Sequence, residues 1–137
     1  MYPVELTIPM AKDLTAYGFK GLSSSEDVKN ALENMEGTAL LVVNSVCGCA
    51  AGMARPGAKF SLRNEKSPDH LYTVFAGVDK EATATARDFL LPYPPSSPSI
   101  ALFKDGKLVH FLERHHIEGR SAEIISENLK MAYDRYC

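Results

Sequence analysis

Apolar positions along this chain follow two rhythms. Val28, Ala31, Leu32 and Met35 fall at i, i+3, i+4 and i+7, which is one buried face of a helix. Ser23 precedes them with Glu26 three residues on, a capping-box pattern, and Gly37 fits the stop. Thr38 to Val46 is apolar and β-branched with little alternation, which predicts a strand covered on both faces. His70 to Ala76 is a second strand. Ser99 to Phe103 and Leu108 to Leu112 are two more, and the Asp105-Gly106 pair between them predicts a tight hairpin. Ile125, Leu129, Ala132 and Tyr136 mark an amphipathic last helix capped by Ser121.

The weaker segments fill the gaps. Pro9, with Ala11, Leu14 and Tyr17 after it, predicts a short first helix with the proline in its first turn and Gly18 as the stop. Ala50 to Ala54 is a run of small residues that predicts a helix lying close to the sheet, kinked by Pro56. Gly77-Val78-Asp79 turns into an Ala-rich helix that ends near Phe89 to Leu91. Pro92 to Pro98 contains four prolines and cannot be regular structure. The order is α-α-β-α-β-α-β-β-α, with a βαβ crossover and then a hairpin. This is the thioredoxin-like plan: an α/β fold with a central mixed four-stranded sheet flanked by helices, plus an extra N-terminal helix.

Composition narrows the picture. The 137 residues suffice for one domain, 1–137, with a core that needs no staples. A net charge of −2 gives no electrostatic case for nucleic acid or an anionic membrane. The first residues lack a basic stretch followed by an apolar run, and no apolar segment approaches a membrane span, so a cytoplasmic protein is expected. Three cysteines cannot pair off internally. A close thiol pair in such a chain is catalytic, redox-sensing or metal-binding before it is structural.

Cys47-Gly48-Cys49 carries the chemistry. The pair sits where the first central strand hands over to a helix, whose N–H groups and dipole favour thiolate over thiol. Cys47 is the expected attacking thiol. Cys49 is close enough to resolve a mixed disulfide on it. A disulfide joining i to i+2 has little freedom to reach the preferred dihedral, so it is expected to be strained and easily reduced. That points to an oxidant, an isomerase or a remover of mixed disulfides. Pro98, directly before a strand, takes the place where this plan sets a cis-proline beside the thiols. Its neighbour Ser97 and the intervening Gly48 are expected substrate contacts. Ser45 and Arg55 are candidates for tuning the thiol, against the plainer readings of a strand-ending serine and a solvated arginine. His115-His116 reads as a surface pair, and Cys137 as an exposed terminal thiol.

Two rival constellations compete. Cys49 and Arg55 form a Cys-x5-Arg spacing, which in phosphatase or arsenate-reductase loops cradles an oxyanion above a thiolate. Against it, Ala50 to Ala54 prefers a helix and Pro56 replaces the usual hydroxyl residue. A zinc or iron–sulfur site using Cys47, Cys49 and His115 or His116 lacks a second cysteine pair.

The block Val43-Asn44-Ser45-Val46-Cys47-Gly48-Cys49-Ala50-Ala51-Gly52, with Ala54-Arg55-Pro56 after it, resembles the active-site signature of the bacilliredoxin family. Val74 to Gly77, Asp79 to Ala84, Pro95 to Ser99, Ile117-Glu118-Gly119 and Cys137 resemble that family too. The resemblance implies a thioredoxin-like fold and a thiol–disulfide oxidoreductase or isomerase that removes bacillithiol from protein mixed disulfides. By position it makes Cys47 the thiol that takes bacillithiol, Cys49 the resolving thiol and Pro98 the cis-proline. It implies S-bacillithiolated or disulfide-bonded client proteins as partners, bacillithiol as a low-molecular-weight co-substrate, and no metal or tightly bound cofactor. The chain departs from thioredoxin itself: no Trp precedes the cysteines, no Pro separates them, and Leu41 stands where thioredoxin buries an acid.

Overall fold

The computed structural model describes residues 2–137. Strand β2 (Thr38–Asn44) lies at the centre, and all seven of its residues are buried. Five strands form one sheet in the order β1-β3-β2-β4-β5, with β1 at Lys20–Gly21, β3 at His70–Phe75, β4 at Ser99–Lys104 and β5 at Lys107–Leu112. β2 is parallel to β3, and β3 to β1; β4 is antiparallel to both β2 and β5. The predicted four strands form the body of this sheet. The fifth, β1, is an edge strand of two residues, too short to carry a periodic signal.

Side chains of β2 alternate between two cores, as a strand covered on both faces requires. Leu40 and Val42 point to one side, with Ile100 and Leu102 of β4. There they meet Leu14 of α1 (Val4–Thr15), Ala58 of α3 (Arg55–Ser61) and Leu129 and Tyr133 of α6 (Ala122–Tyr136). Ala39, Leu41 and Val43 point the other way. They meet Val28 and Leu32 of α2 (Ser25–Leu32) and Ala82 and Ala86 of α4 (Lys80–Asp88). α3 packs on α6 without a side chain at the crossing. A Cβ on Gly57 would lie 2.7 Å from Ile125 Cγ2 and 3.2 Å from the Ala122 carbonyl. Ser61 Oγ and Tyr133 OH, 2.8 Å apart, close the same interface.

Local chemistry moved several boundaries. The hairpin is as predicted: Asp105 (φ 50°) and Gly106 (φ 80°) form its two-residue loop. Ser121 caps α6, accepting from the Ile124 N–H at 3.1 Å. The cap of α2, however, is Ser24 and not Ser23. Its Oγ accepts from the Asp27 N–H at 3.0 Å, while the Ser23 N–H donates to the Asp27 carboxylate at 3.2 Å. Asp27, rather than Glu26, is therefore the acidic half of the cap. Gly37 does not cap α2, which ends at Leu32 with Asn34 in the left-handed region (φ 59°). Gly37 instead docks on the hairpin, its N–H donating to Asp105 Oδ1 at 2.9 Å.

α1 begins at Val4, so Pro9 lies inside it rather than in its first turn. Val4, Leu6 and Ile8 are exposed, and their alternation hid the helical start. Pro56 does not kink a simple helix. The helical run opens at Gly48 and Cys49, widens into a π-helical stretch at Ala50–Ala54 and tightens again at α3. The Arg55 N–H donates to the Ala50 carbonyl, a bond to i−5. The widened turn takes up the helix just before the residue that has no N–H to give. A short helix, α5 (Arg114–Ile117), contains His115 and His116, both at the surface.

Candidate active site at the carboxyl end of the central strand

The seven-residue β2 ends at Asn44, and the chain turns through Ser45 and Val46 to reach Cys47 at the mouth of the helical run. Both Cys47 and Cys49 are free thiols, half-buried. The Cys49 N–H donates to Cys47 Sγ at 3.2 Å. The Cys47 N–H donates to Ser45 Oγ at 3.3 Å. Burial alone would raise the Cys47 pKa. Hydrogen bonds from the Ala50 N–H, the Cys49 thiol, the Ser45 hydroxyl and the Cys49 N–H outweigh it, and the value lies below that of an ordinary thiol. Cys49 moves the other way. Burial pushes it up first, followed by its bond to Cys47, the Cys47 charge and the Glu118 charge, with Arg114 opposing. One thiol of the pair is thus prepared to be a nucleophile, and the other to hold its proton until needed.

The Ser97–Pro98 bond is cis, as is Leu91–Pro92. Ser97 shares with Cys47 and Ser45 a cavity of about 300 Å³, also lined by Tyr2, Arg87 and Arg114. α5 holds this loop from the far side. The Arg114 N–H donates to Ser96 Oγ at 2.7 Å, and its Nη1 to the Ser97 carbonyl at 3.4 Å. Gly48 stands open, since a Cβ there would meet nothing within 4 Å.

Arg55 is not a solvated arginine. It is 5% exposed. Its Nε donates to Asp13 Oδ2 at 3.0 Å, and its Nη1 to Asn44 Oδ1 at 2.9 Å and to the Ser45 carbonyl at 3.1 Å. Asn44 in turn donates through Nδ2 to the Met10 carbonyl at 3.1 Å and accepts from the Ser45 N–H at 2.9 Å. The guanidinium is a clamp on the residues that lead into Cys47, tied through Asp13 to α1. Its bonds give it a positioning role at the entry to Cys47. The same bonds dispose of the Cys-x5-Arg alternative. The residues between Cys49 and Arg55 are helical, the Ala51 N–H already donates to the Cys47 carbonyl, and Arg55 is committed elsewhere. No cradle for an oxyanion forms above Cys49.

His115 and His116 come together with Glu113, their ligand atoms within 4.8 Å of one another, rather than with the two cysteines. Leu41 is fully buried in the core. Cys137 lies at the opposite end of β2, beside Thr38. The sequence reading missed Asp13, Asn44, Arg87, Arg114 and Glu118. Only Asn44 left a trace, as a polar residue inside an otherwise apolar run.

Comparison with known proteins decides the family. Residues 2–137 match the family model described as disulphide isomerase. A bacilliredoxin of Cytophaga hutchinsonii is 60% identical over 134 residues, covering 98% of both chains. One from Halalkalibacterium halodurans is 54% identical over 136 residues, 99% of this chain and 94% of the relative. This chain belongs to the bacilliredoxin family. Among solved structures, Fasciola hepatica thioredoxin aligns with a TM-score of 0.57 at 14% identity, over 87% of this chain and all of the other. Mitochondrial thioredoxin 3 of Saccharomyces cerevisiae gives 0.58 at 15% identity, over 90% and 98%. The family member thus has the thioredoxin fold. Family and fold together make it a thiol–disulfide oxidoreductase. Among the described residues, no helix is long and apolar enough to cross a membrane.

Proposed function

We propose that this protein removes bacillithiol from mixed disulfides on client proteins in the cytoplasm, with no metal or tightly bound cofactor. The observation that carries the reading is the opposite displacement of the two thiols, Cys47 down and Cys49 up, at the start of one helical run. The relatives' name supplies the thiol.

The Cys47 thiolate attacks the bacillithiol sulfur of a protein–S–S–bacillithiol. The client's sulfur leaves with the electron pair of the broken bond and takes a proton, and bacillithiol remains disulfide-linked to Cys47. Two routes clear it. A second bacillithiol thiolate attacks, releasing Cys47 thiolate and bacillithiol disulfide. Alternatively Cys49 gives up its proton and attacks Cys47, releasing bacillithiol and leaving a Cys47–Cys49 disulfide for an external dithiol to reduce. The i to i+2 ring makes that disulfide easy to reduce, which suits a step that must be undone each cycle. Ser97, in the cavity beside Cys47, its neighbour Pro98 and the open Gly48 are the proposed contacts for the client chain. The same thiol pair can isomerise disulfides, Cys47 attacking a wrong one and releasing it to another client thiol.

A bacillithiolated client protein tests this directly. Cys49→Ala should release the client thiol and accumulate bacillithiol on Cys47, visible as a mass increment on the intact protein. Release of bacillithiol by a Cys47→Ala variant at the wild-type rate would overturn the assignment.

A further inference from the structure

The cavity beside Cys47 contains more charge than thiol–disulfide exchange requires. Arg87 reaches it from α4 and Arg114 from α5, two elements that otherwise meet the site from different sides. Arg87 is half-buried, and its Nε is closed off from solvent with no hydrogen-bond partner among the described residues. A guanidinium N–H left bare inside a protein costs free energy unless something occupies it some of the time. Arg114 is half-exposed and only partly committed. Nε donates to Glu118 Oε1 at 2.9 Å and Nη1 reaches the Ser97 carbonyl at 3.4 Å. Its own pKa is raised, first by the Glu118 hydrogen bond and then by the Cys47 charge, so guanidinium and thiolate feel one another. The serines Ser45 and Ser97 complete a polar wall.

We propose that Arg87 and Arg114 form a carboxylate subsite, which seats the low-molecular-weight half of the mixed disulfide so that its sulfur faces Cys47. The inference rests on the mixed-disulfide reading above and adds what that reading lacks, a means of choosing which sulfur is attacked. A mixed disulfide has two. Attack on the client's sulfur would trap the protein on Cys47, whereas attack on the small thiol's sulfur sets the client free. Two guanidiniums gripping a carboxylate on the small thiol favour the second outcome, because planar N–H pairs match carboxylate oxygens. The volume of about 300 Å³ suits a small molecule better than a folded loop. The occupant is therefore a small thiol bearing one or more carboxylates.

Two small disulfides test this on the intact protein. Dithiobis(nitrobenzoate) carries a carboxylate on each ring, whereas dipyridyl disulfide carries none. The readout is the ratio of their second-order rates with Cys47. Arg87→Gln and Arg114→Gln should each lower that ratio by about tenfold, the loss of one charge-assisted hydrogen bond. Arg87→Lys should keep much of it, and Lys107→Gln, at the far hairpin, should leave it unchanged. Added salt should lower the wild-type ratio, since the site is open to solvent. A ratio unmoved by both glutamine variants overturns the subsite, as does an equal fall in both rates, because the arginines would then act on the thiolate alone. A wild-type protein inert to dipyridyl disulfide would instead sink the mixed-disulfide reading, so the two failures are distinct.

Discussion

The central strand has a cysteine near each end, and the two ends treat sulfur in opposite ways. Past Asn44, Cys47 stands before a helical run and collects hydrogen bonds from backbone N–H groups, a thiol and a hydroxyl, and its pKa falls. Beside Thr38, Cys137 closes the carboxyl end of α6, its N–H bonded to the Tyr133 carbonyl. Burial raises its pKa, and the Asp69 charge adds to this against the pull of Thr38. At Cys47 the donors outweigh burial, whereas at Cys137 burial and the Asp69 charge outweigh Thr38, Lys104 and Lys66. Reactivity here follows the surroundings of each sulfur, not the residue type.

The largest expected effect tests that contrast outright. Cys47→Ala should bring disulfide exchange to the uncatalysed background, and Cys137→Ala should leave it at the wild-type rate. Rapid-mixing kinetics with an aryl disulfide would measure both. Equal losses in the two variants would break the comparison.

The next effect concerns what holds the reactive end in place. Arg55→Ala strands the Asp13 carboxylate and the Asn44 carbonyl that the guanidinium now joins. Removing one partner of a buried pair costs about 3–5 kcal/mol, and Asp13 is partly exposed with Lys59 still beside it, so the low end of that range is expected in urea unfolding. Acid should show the same network. Burial works to raise the Asp13 pKa, but Lys59 and Arg55 outweigh it and hold it below its ordinary value. Its contribution is therefore complete above the unfolded carboxylate's pKa and is lost as pH falls through the lower folded value. Asp13→Asn should remove that segment of the stability profile.

A smaller contrast lies within the helical run itself. Gly57→Ala puts a methyl group into Ile125 and should destabilise by about 1–3 kcal/mol. Gly48→Ala meets nothing and should leave the thermal midpoint in place. Any change in exchange rate on Gly48→Ala then reads access to Cys47 rather than folding.

How much of this was legible beforehand follows from where each signal resides. β2 and the hairpin could be read because a buried strand and an Asp-Gly turn are local statements. The thiol pair could be placed because its meaning needs only the strand before it and the helix after it. Arg55 could not. A π-helical stretch inserts one extra residue per turn, which shifts every later side chain by about 100° around the axis. Arg55 follows that stretch and faces inward to Asp13 and Asn44. Arg87 and Arg114 were illegible for a different reason. They are forty and sixty-seven residues beyond Cys47 in the chain, on helices whose apolar faces say nothing of what their polar edges meet.

Ser45 gives the finest test of why the carboxyl end of β2 activates its thiol. The Ser45 hydroxyl is one of several groups that together outweigh burial, alongside the Ala50 and Cys49 N–H groups and the Cys49 thiol. Ser45→Ala deletes that bond, together with the one its Oγ accepts from the Cys47 N–H, and leaves the Ala50 and Cys49 N–H donors. The folded Cys47 pKa should therefore rise, with the remaining donors still working against burial. The sign in the rate is fixed. Thiolate is populated above the pKa, so the exchange rate falls as pH falls through it, and Ser45→Ala should move that fall to higher pH. Thiolate absorbance in the ultraviolet and the pH profile of alkylation would each report the midpoint. A midpoint that stays put would assign the whole effect to the helix start. A rise of two units or more would make Ser45, rather than the helix, the principal source of the difference between the two ends of the strand.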